Sequence, residues 1–180
     1  MAGSSPDGAD LQILTDGQSN YGFPSWSGDG RHIVYREATR ERNALLVLDV
    51  EGGRSRTIAE GPAHFNSPTW SPSADRIAFT ADLDGDYDIY SVRADGSDLT
   101  RLTRSPGNDA HLTWSSDGRW IAFTTARQGF KDEAVLHPGN PQPYGEIAVM
   151  RADGSDVRVL TDNPFEDGTP AWKPSTGSTR

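Results

Sequence analysis

The sequence predicts an all-β protein built as a β-propeller from blades of four antiparallel strands. Tryptophans recur 44 residues apart, at Trp26, Trp70 and Trp114. An isoleucine follows each tryptophan seven residues later, and turns containing Asp-Gly or proline separate short runs rich in β-branched and aromatic residues. A period near 44 residues with four strands per unit is typical of propeller blades.

The clearest repeat unit lies between residues 65 and 103. It contains four β-type runs, SPTWS, RIAFTA, YDIYSVR and LTRLT, which the turns SPSAD, DLDGD and ADGSD separate. We expect an antiparallel meander that buries both faces only by stacking on neighbouring blades around a central channel. The alternative is a β-sandwich whose periodicity is accidental.

The chain is predicted to hold three full blades between two partial ones. Residues 1–10 form a polar, flexible tail, and 11–15 align with the fourth strand at 99–103, so they are expected to be a fourth strand without its first three. The full blades are predicted at 23–58, 67–103 and 111–161. Residues 169–172 (TPAW) align with a first strand, which ends the repeat region 11–172, and 173–180 form a second flexible tail.

The period changes once. Trp172 lies 58 residues after Trp114, so the third blade carries about fourteen extra residues relative to the 44-residue period. They fall between Thr124 and Ile147, in the turn that joins the second and third strands. Long loops on a rigid scaffold are where binding residues concentrate.

The repeated motifs resemble the WD-like repeat of the TolB family. They are WSGDG (26–30), WSPSAD (70–75), WSSDG (114–118), two copies of RADGSD (93–98 and 151–156) and LTRLT (99–103). The resemblance covers about residues 11–174 and implies a propeller in the periplasm or outside the cell, with the cytoplasm left open. Similar blades occur in oligogalacturonate lyases and in the propellers of prolyl-oligopeptidase-type peptidases.

Composition restricts the function classes. The chain has 17 basic and 26 acidic residues and a net charge of −9, which argues against nucleic-acid binding and anionic membranes. No apolar run is long enough to span a bilayer, so membrane insertion is not expected. There is no cysteine and hence no disulfide or thiol chemistry, and no G-x-S-x-G motif of a peptidase.

The partial blades predict self-association. An arc of three blades is smaller than the usual closed ring and would expose two blade faces with unpaired strand edges. We therefore expect a homo-oligomer, with a two-fold dimer favoured, that completes the ring. The alternatives are a segment of a longer propeller and an unusual small closed ring.

The candidate site is the face of the molecule that carries the links between blades and the insertion at 126–146. In an up-and-down blade, these links and the turn between the second and third strands lie on the same side. The candidate ligand-binding residues on this face are His64, Asn66, Asn108, Asp109, His111, Arg127, Lys131, Asp132, Glu133, His137, Tyr144, Glu166 and Asp167. For any single residue, an ordinary solvated loop is the alternative.

Three functions follow from these observations. The first is a non-catalytic scaffold that binds a protein or small ligand through this face, with no cofactor and no catalytic residue. The second is a metal-dependent, lyase-like enzyme, in which His64 and His111 would bind a divalent metal in the channel. Their registers differ, six and three residues before the next tryptophan, which counts against the lyase-like alternative. The third is a purely structural assembly module.

Overall fold

The computed structural model of the chain describes residues 1–4, 7, 10–129, 145–163, 165 and 167–173. This part of the chain contains fourteen β-strands and no helix, which confirms the predicted all-β class. The described residues accordingly contain no helix that is long and apolar enough to cross a membrane.

Twelve of the strands form three four-stranded antiparallel sheets, each in simple sequential order. The first blade consists of β3 (Asn20–Trp26), β4 (His32–Ala38), β5 (Asn43–Asp49) and β6 (Arg54–Gly61). The second consists of β7 (Phe65–Trp70), β8 (Arg76–Ala81), β9 (Asp88–Arg93) and β10 (Thr100–Arg101). The third consists of β11 (Asp109–Trp114), β12 (Trp120–Thr125), β13 (Glu146–Arg151) and β14 (Arg158–Val159). Each sheet is a meander, as the repeat predicts.

Every first strand contains the same irregularity. Its register shifts two to three residues before the tryptophan, where one residue has positive φ: Phe23 (55°), Ser67 (46°) or His111 (49°). Such β-bulges bend a strand and re-aim its side chains. The bulge therefore places a different side chain in each blade at an equivalent point of the first strand.

Apolar layers join the blades. Val34, Leu45 and Val47 of the first blade pack with Trp70 and Phe79 of the second. A corresponding layer lies between the second and third blades and contains Ile89, Leu102, Trp114, Phe123 and Met150. We call the side of each blade that meets the following blade its trailing face, and the opposite side its leading face.

Residues 1–15 form more of a blade than the sequence suggests. Within the range predicted as a flexible tail, 1–10, β1 (Ala2–Gly3) pairs antiparallel with β2 (Gln12–Ile13). The register of this hairpin matches that of β13 and β14. Asp10 has a φ of 53°, close to the 55° of Asp156 at the equivalent position. We call this unit the leading hairpin. It supplies the third and fourth strands of a blade, not the fourth alone.

The leading hairpin covers one of the two blade faces that the sequence predicts to be exposed. Ile33, Tyr35 and Leu48 on the leading face of the first blade are at most 3% exposed, and Met1 and Leu14 pack against this layer. The leading face is thus covered by the chain itself, contrary to the expectation that two bare faces would be exposed.

Trp26 departs from the other repeat tryptophans. Trp70 and Trp114 are 9% and 8% exposed between blades, whereas Trp26 is 53% exposed. Trp26 therefore does not share the buried inter-blade position of Trp70 and Trp114. The described residues include no first strand on the leading side of the first blade, so they bury the Trp26 ring less than they bury Trp70 and Trp114.

The segment 169–172 keeps first-strand contacts without forming a strand. Trp172 Nε1 donates a hydrogen bond to the Thr113 carbonyl at 3.1 Å, as Trp114 Nε1 does to the Thr69 carbonyl at 3.2 Å. Thr169 has φ of 51°, the value typical of the bulge residue in the full blades. The repeat register therefore continues past the insertion to Trp172.

Candidate functional site

We call the side of the molecule that carries the blade-to-blade links and the turns between second and third strands the loop face. Strands β12 and β13 pair from Trp120↔Arg151 to Thr125↔Glu146, so residues 126–145 form the connection that contains the insertion. Candidates Lys131, Asp132, Glu133, His137, Tyr144 and Glu166 lie outside the described residues. The other seven candidates can be placed.

His64 is bound to a residue that sequence reasoning did not select. Its backbone N–H donates to Asp82 Oδ1 at 2.6 Å, and its ring Nδ1 lies 2.8 Å from Asp82 Oδ2. The His64 side chain is 63% exposed and that of Asp82 is 21% exposed. Asp82 therefore holds the imidazole at the surface of the loop face, with the other ring nitrogen directed away from the pair. Asp82, between the second and third strands of the second blade, thus fixes His64 in the link that leads into that blade.

Asp109 and Arg127 are two candidates that the fold brings together. Arg127 Nη2 donates to Asp109 Oδ2 at 3.2 Å, and Ser105 Oγ donates to the same oxygen at 2.9 Å. Asp109 is fully buried, and the Arg127 side chain is 20% exposed. A buried carboxylate needs such a partner because desolvation disfavours its charged form. This pair is best explained as support for the loop face rather than as a reactive group.

Two candidate asparagines bind neighbouring elements. Asn108 Oδ1 accepts a hydrogen bond from the Tyr87 backbone N–H at 3.0 Å. Asn66 Oδ1 accepts one from Arg36 Nη1 at 2.7 Å. The first bond connects the second and third blades and the second connects the first and second blades. Both amides therefore hold adjacent blades together at the loop face.

Asp167 and His111 complete the described candidates. Asp167 accepts a hydrogen bond from Asn163 Nδ2 at 2.7 Å, and its backbone N–H donates to the Gly145 carbonyl. His111 is the bulge residue of β11 and is partly buried. Burial lowers the pKa of His111 because desolvation disfavours the imidazolium. Its ring is therefore held in the neutral form over a wider pH range than a free histidine.

The candidate metal ligands are not part of a larger ligand cluster in the described part of the chain. His64 is paired with Asp82, and the described residues include no group of three or more histidine, cysteine, aspartate or glutamate side chains suited to holding a metal ion.

A second set of acidic residues on the loop face was missed because their partners lie in other strands. Asp88, at the start of β9, is fully buried and accepts hydrogen bonds from Thr103 Oγ1 at 3.0 Å and Arg101 Nη2 at 2.5 Å. Burial raises the pKa of Asp88, while the bonds from Thr103 and Arg101 oppose that rise. Glu146 occupies the same place in the third blade and accepts a hydrogen bond from Thr161 Oγ1 at 2.5 Å. The repetition of this carboxylate–threonine pair in two blades indicates a structural role.

At other positions of the loop face, at least one blade departs from the others. The sequence differs from blade to blade at four equivalent places, taken in blade order: Asn20, His64 and Asn108; Tyr21, Phe65 and Asp109; Arg36, Thr80 and Thr124; Ala38, Asp82 and Ala126. Positions that solve the same packing problem repeat, as the tryptophans do. The residues of the loop face thus differ between blades more than those of the inter-blade layers do. Hydrogen bonds between strands and links hold these side chains in place.

A protein-family model of propeller repeats matches most of this chain. The model of the TolB beta propeller domain matches residues 1–132. The chain belongs to the TolB β-propeller family. The match begins at Met1, in agreement with the leading hairpin, and no curated protein sequence matches the chain.

Solved structures support the TolB-type fold. A TolB-type protein from Agrobacterium tumefaciens is 24% identical, with a TM-score of 0.69 over 84% of this chain and 52% of its own. TolB from Acinetobacter baumannii is 18% identical, with a TM-score of 0.62 over 91% of this chain and 49% of its own. An oligogalacturonate lyase in complex with manganese is 16% identical, with a TM-score of 0.63 over 84% of this chain and 45% of its own. The chain thus spans about half the length of these proteins, and at these identities the likeness shows the fold.

Proposed function

We propose that the chain is a non-catalytic propeller scaffold that binds a protein or small ligand through the loop face, including the connection at 126–146. The observation that carries this proposal is the contrast between repeated and unrepeated positions. The inter-blade layers repeat, whereas Arg36, His64, Asp82 and Asp109 each appear in one blade only. Rigid scaffolds with varied loops are the usual architecture of binding surfaces.

The local contacts favour recognition over catalysis. A general base must reach its substrate proton and needs a second group to complete the reaction. Asp82 uses both carboxylate oxygens on His64, and the Asp109 carboxylate is occupied by Arg127 and Ser105. These pairs fix side chains in place, which lowers the entropy lost when a ligand binds.

Ligand binding to the loop face is expected to depend on His64. We would measure the melting temperature of the protein against short acidic, basic and neutral peptides and against neutral and acidic oligosaccharides. At least one compound should raise the wild-type melting temperature in proportion to the logarithm of its concentration, and the His64→Ala variant should lose this rise. Ser116→Ala, an exposed change in a turn on the opposite face, is the matched control and should retain it. A panel without any stabilising compound, or equal loss in both variants, would contradict the proposal.

We further propose that a second copy of the chain completes the ring. The two ends carry different strands of one blade: Thr169–Trp172 keeps first-strand contacts, and the leading hairpin supplies third and fourth strands. The trailing face of the third blade is also incompletely covered within the described chain. Leu160 is 59% exposed, whereas the equivalent Leu102 is 8% exposed because the third blade packs on it. A two-fold arrangement would bring the leading hairpin of each copy to this face of the other.

Self-association is expected to fail when the trailing face becomes charged. By light scattering on a sizing column, the wild type should have about twice the 19.5 kDa chain mass, and Leu160→Glu should have the mass of one chain. Leu99→Glu is the control, because Leu99 is 52% exposed on the second blade, which has neighbours on both faces. A monomeric wild type, or an equal change of mass in both variants, would rule out this mode of ring closure.

A further inference from the structure

Arg36 is an unusual cation in this acidic chain. It lies on β4 near the loop face and is directed toward the second blade, where Nη1 binds Asn66 Oδ1. Its Cζ lies 4.9 Å from the centre of the Phe23 ring, on the bulge of β3. Burial lowers the pKa of Arg36, although the side chain stays charged at neutral pH because an arginine pKa starts above 12. The fold thus keeps a positive charge partly out of water at the loop side of the first two blades.

This charge lacks the carboxylate that accompanies comparable arginines. Four of the described arginines are at least partly buried, and three of them form ion pairs: Arg76 with Asp98, Arg101 with Asp84 and Asp88, and Arg127 with Asp109. Arg36 forms no ion pair within the described residues. A partly desolvated guanidinium without an acidic partner is energetically costly, so an external anion would be stabilised there.

The free donors of Arg36 form the edge that fits a carboxylate. The Nε–H and one Nη2–H of a guanidinium point in the same direction and can donate two parallel hydrogen bonds. Arg36 Nε is buried without an acceptor, and Nη2 has no hydrogen-bond partner among the described residues. Gly22, which pairs with Arg36 across β3 and β4, places no side chain beside this edge, and a Cβ built there would lie 3.9 Å from Nη2.

Asn66 adds a further donor beside this edge. The residue is 9% exposed, and because its Oδ1 is occupied by Arg36, the Nδ2 group is turned away from the guanidinium. Nδ2 has no hydrogen-bond partner in the described part of the chain. An amide donor next to an unpaired guanidinium edge can give a further hydrogen bond to an acceptor bound there.

Packing alone does not require an arginine at this position. The equivalent residues of the second and third blades are Thr80 and Thr124, which are 2% and 0% exposed. The same inter-blade position is therefore filled by a small side chain wherever the blades follow the common pattern. Arg36 is a departure from the repeat that adds charge and hydrogen-bond donors.

We propose that Arg36 and Asn66 form a binding site for a carboxylate group at the loop side of the interface between the first and second blades. The single positive charge matches a monoanion, and the Nε–Nη2 edge matches two oxygens of one planar group. The inference deepens the proposed function and rests on it, since it names the chemical group that the loop face recognises.

The test uses sodium acetate as the probe and nuclear magnetic resonance of the full chain. Acetate is titrated at constant ionic strength against chloride, while the Nε–H signal of Arg36 and the side-chain amide signals of Asn66 are followed. Both should shift with one saturation curve in the millimolar range, which is typical of a single charged contact in water. Arg42, which is exposed and paired with Glu37 and Glu60, is the internal control and should not show a saturable shift.

Two substitutions separate binding from folding. Arg36→Thr introduces the residue that the other blades carry, so it should fold, and it should abolish the saturable Asn66 shift. Arg36→Lys keeps the charge but loses the parallel donors and should weaken acetate binding by about tenfold. Absence of a saturable shift, persistence of the Asn66 shift in Arg36→Thr, or tighter binding of phosphate than of acetate would each overturn the proposal.

The acetate titration and the compound panel together distinguish the carboxylate site from the wider recognition surface. If acetate fails to bind but a panel compound still depends on His64, the scaffold function stands and the carboxylate assignment is wrong. If acetate binds at Arg36 and no panel compound acts through His64, the oxyanion site exists without the wider recognition surface.

Discussion

Chemical unfolding of the Trp114→Ala variant should show a loss of about 3–5 kcal/mol in the free energy of unfolding, the range measured for large aromatic side chains removed from cores. The Trp114 ring is 8% exposed and belongs to the apolar layer between the second and third blades. Its Nε1 also donates to the Thr69 carbonyl at 3.2 Å, which connects the first strands of the two blades. The substitution removes this contact and leaves a cavity where the two sheets meet.

Trp26→Ala is the matched control because it changes the same residue at the same repeat position. Trp26 is 53% exposed, so its loss should reduce the free energy of unfolding by no more than about 1 kcal/mol. Both variants should be compared by circular dichroism in urea, in a Leu160→Glu background that is designed to remove the proposed self-association. Equal losses at the two positions would mean that Trp114 does not hold the blades together as the structure indicates.

Residues with a repeated packing role were predictable from the sequence. Trp70, Trp114 and the isoleucines at the start of each second strand recur in one register because each blade buries the same surface. The same logic extended to Trp172 across the insertion, where the hydrogen bond to Thr113 keeps the contact of Trp114 with Thr69. A repeated sequence pattern therefore reports packing that is local to neighbouring blades.

The leading hairpin was only half predicted, for a reason of composition. Its third-strand residues are Ala2 and Gly3, which have low β-propensity, where the third blade has Ala148 and Val149. The sequence of β1 therefore lacks the apolar, β-branched residues that identify a third strand in the other blades. A usable signal was present in the turn, since PDGAD at 6–10 matches ADGSD at 152–156.

The candidate site was less predictable because its partners come from different strands or blades. His64 is held by Asp82, which lies eighteen residues later between the second and third strands of the same blade, and Asn66 is held by Arg36 from the preceding blade. Neither Asp82 nor Arg36 was selected from loop composition. Both could have been found by asking where the blades differ, since the other blades have alanine in place of Asp82 and threonine in place of Arg36.

Gly154→Ala is expected to reduce the free energy of unfolding by about 2–4 kcal/mol, from backbone strain and steric overlap together. Gly154 has φ of +84° in the turn between the third and fourth strands of the third blade. A Cβ there would lie 2.8 Å from the Leu102 carbonyl oxygen and 3.1 Å from the Leu102 Cα. Because these atoms belong to the backbone after β10, the turn must move away from the second blade to accept the methyl group.

Gly30→Ala separates the two causes of this effect. Gly30 has a similar φ of +70°, but a Cβ built there meets no atom within 4 Å. Its alanine variant should lose about 1 kcal/mol, the cost of the left-handed conformation alone. The difference between the two variants in urea unfolding then measures how closely the third blade's turn packs on the second blade. A difference near zero would show that the turn is free to withdraw, and that the apolar layer around Trp114 alone sets the spacing of these blades.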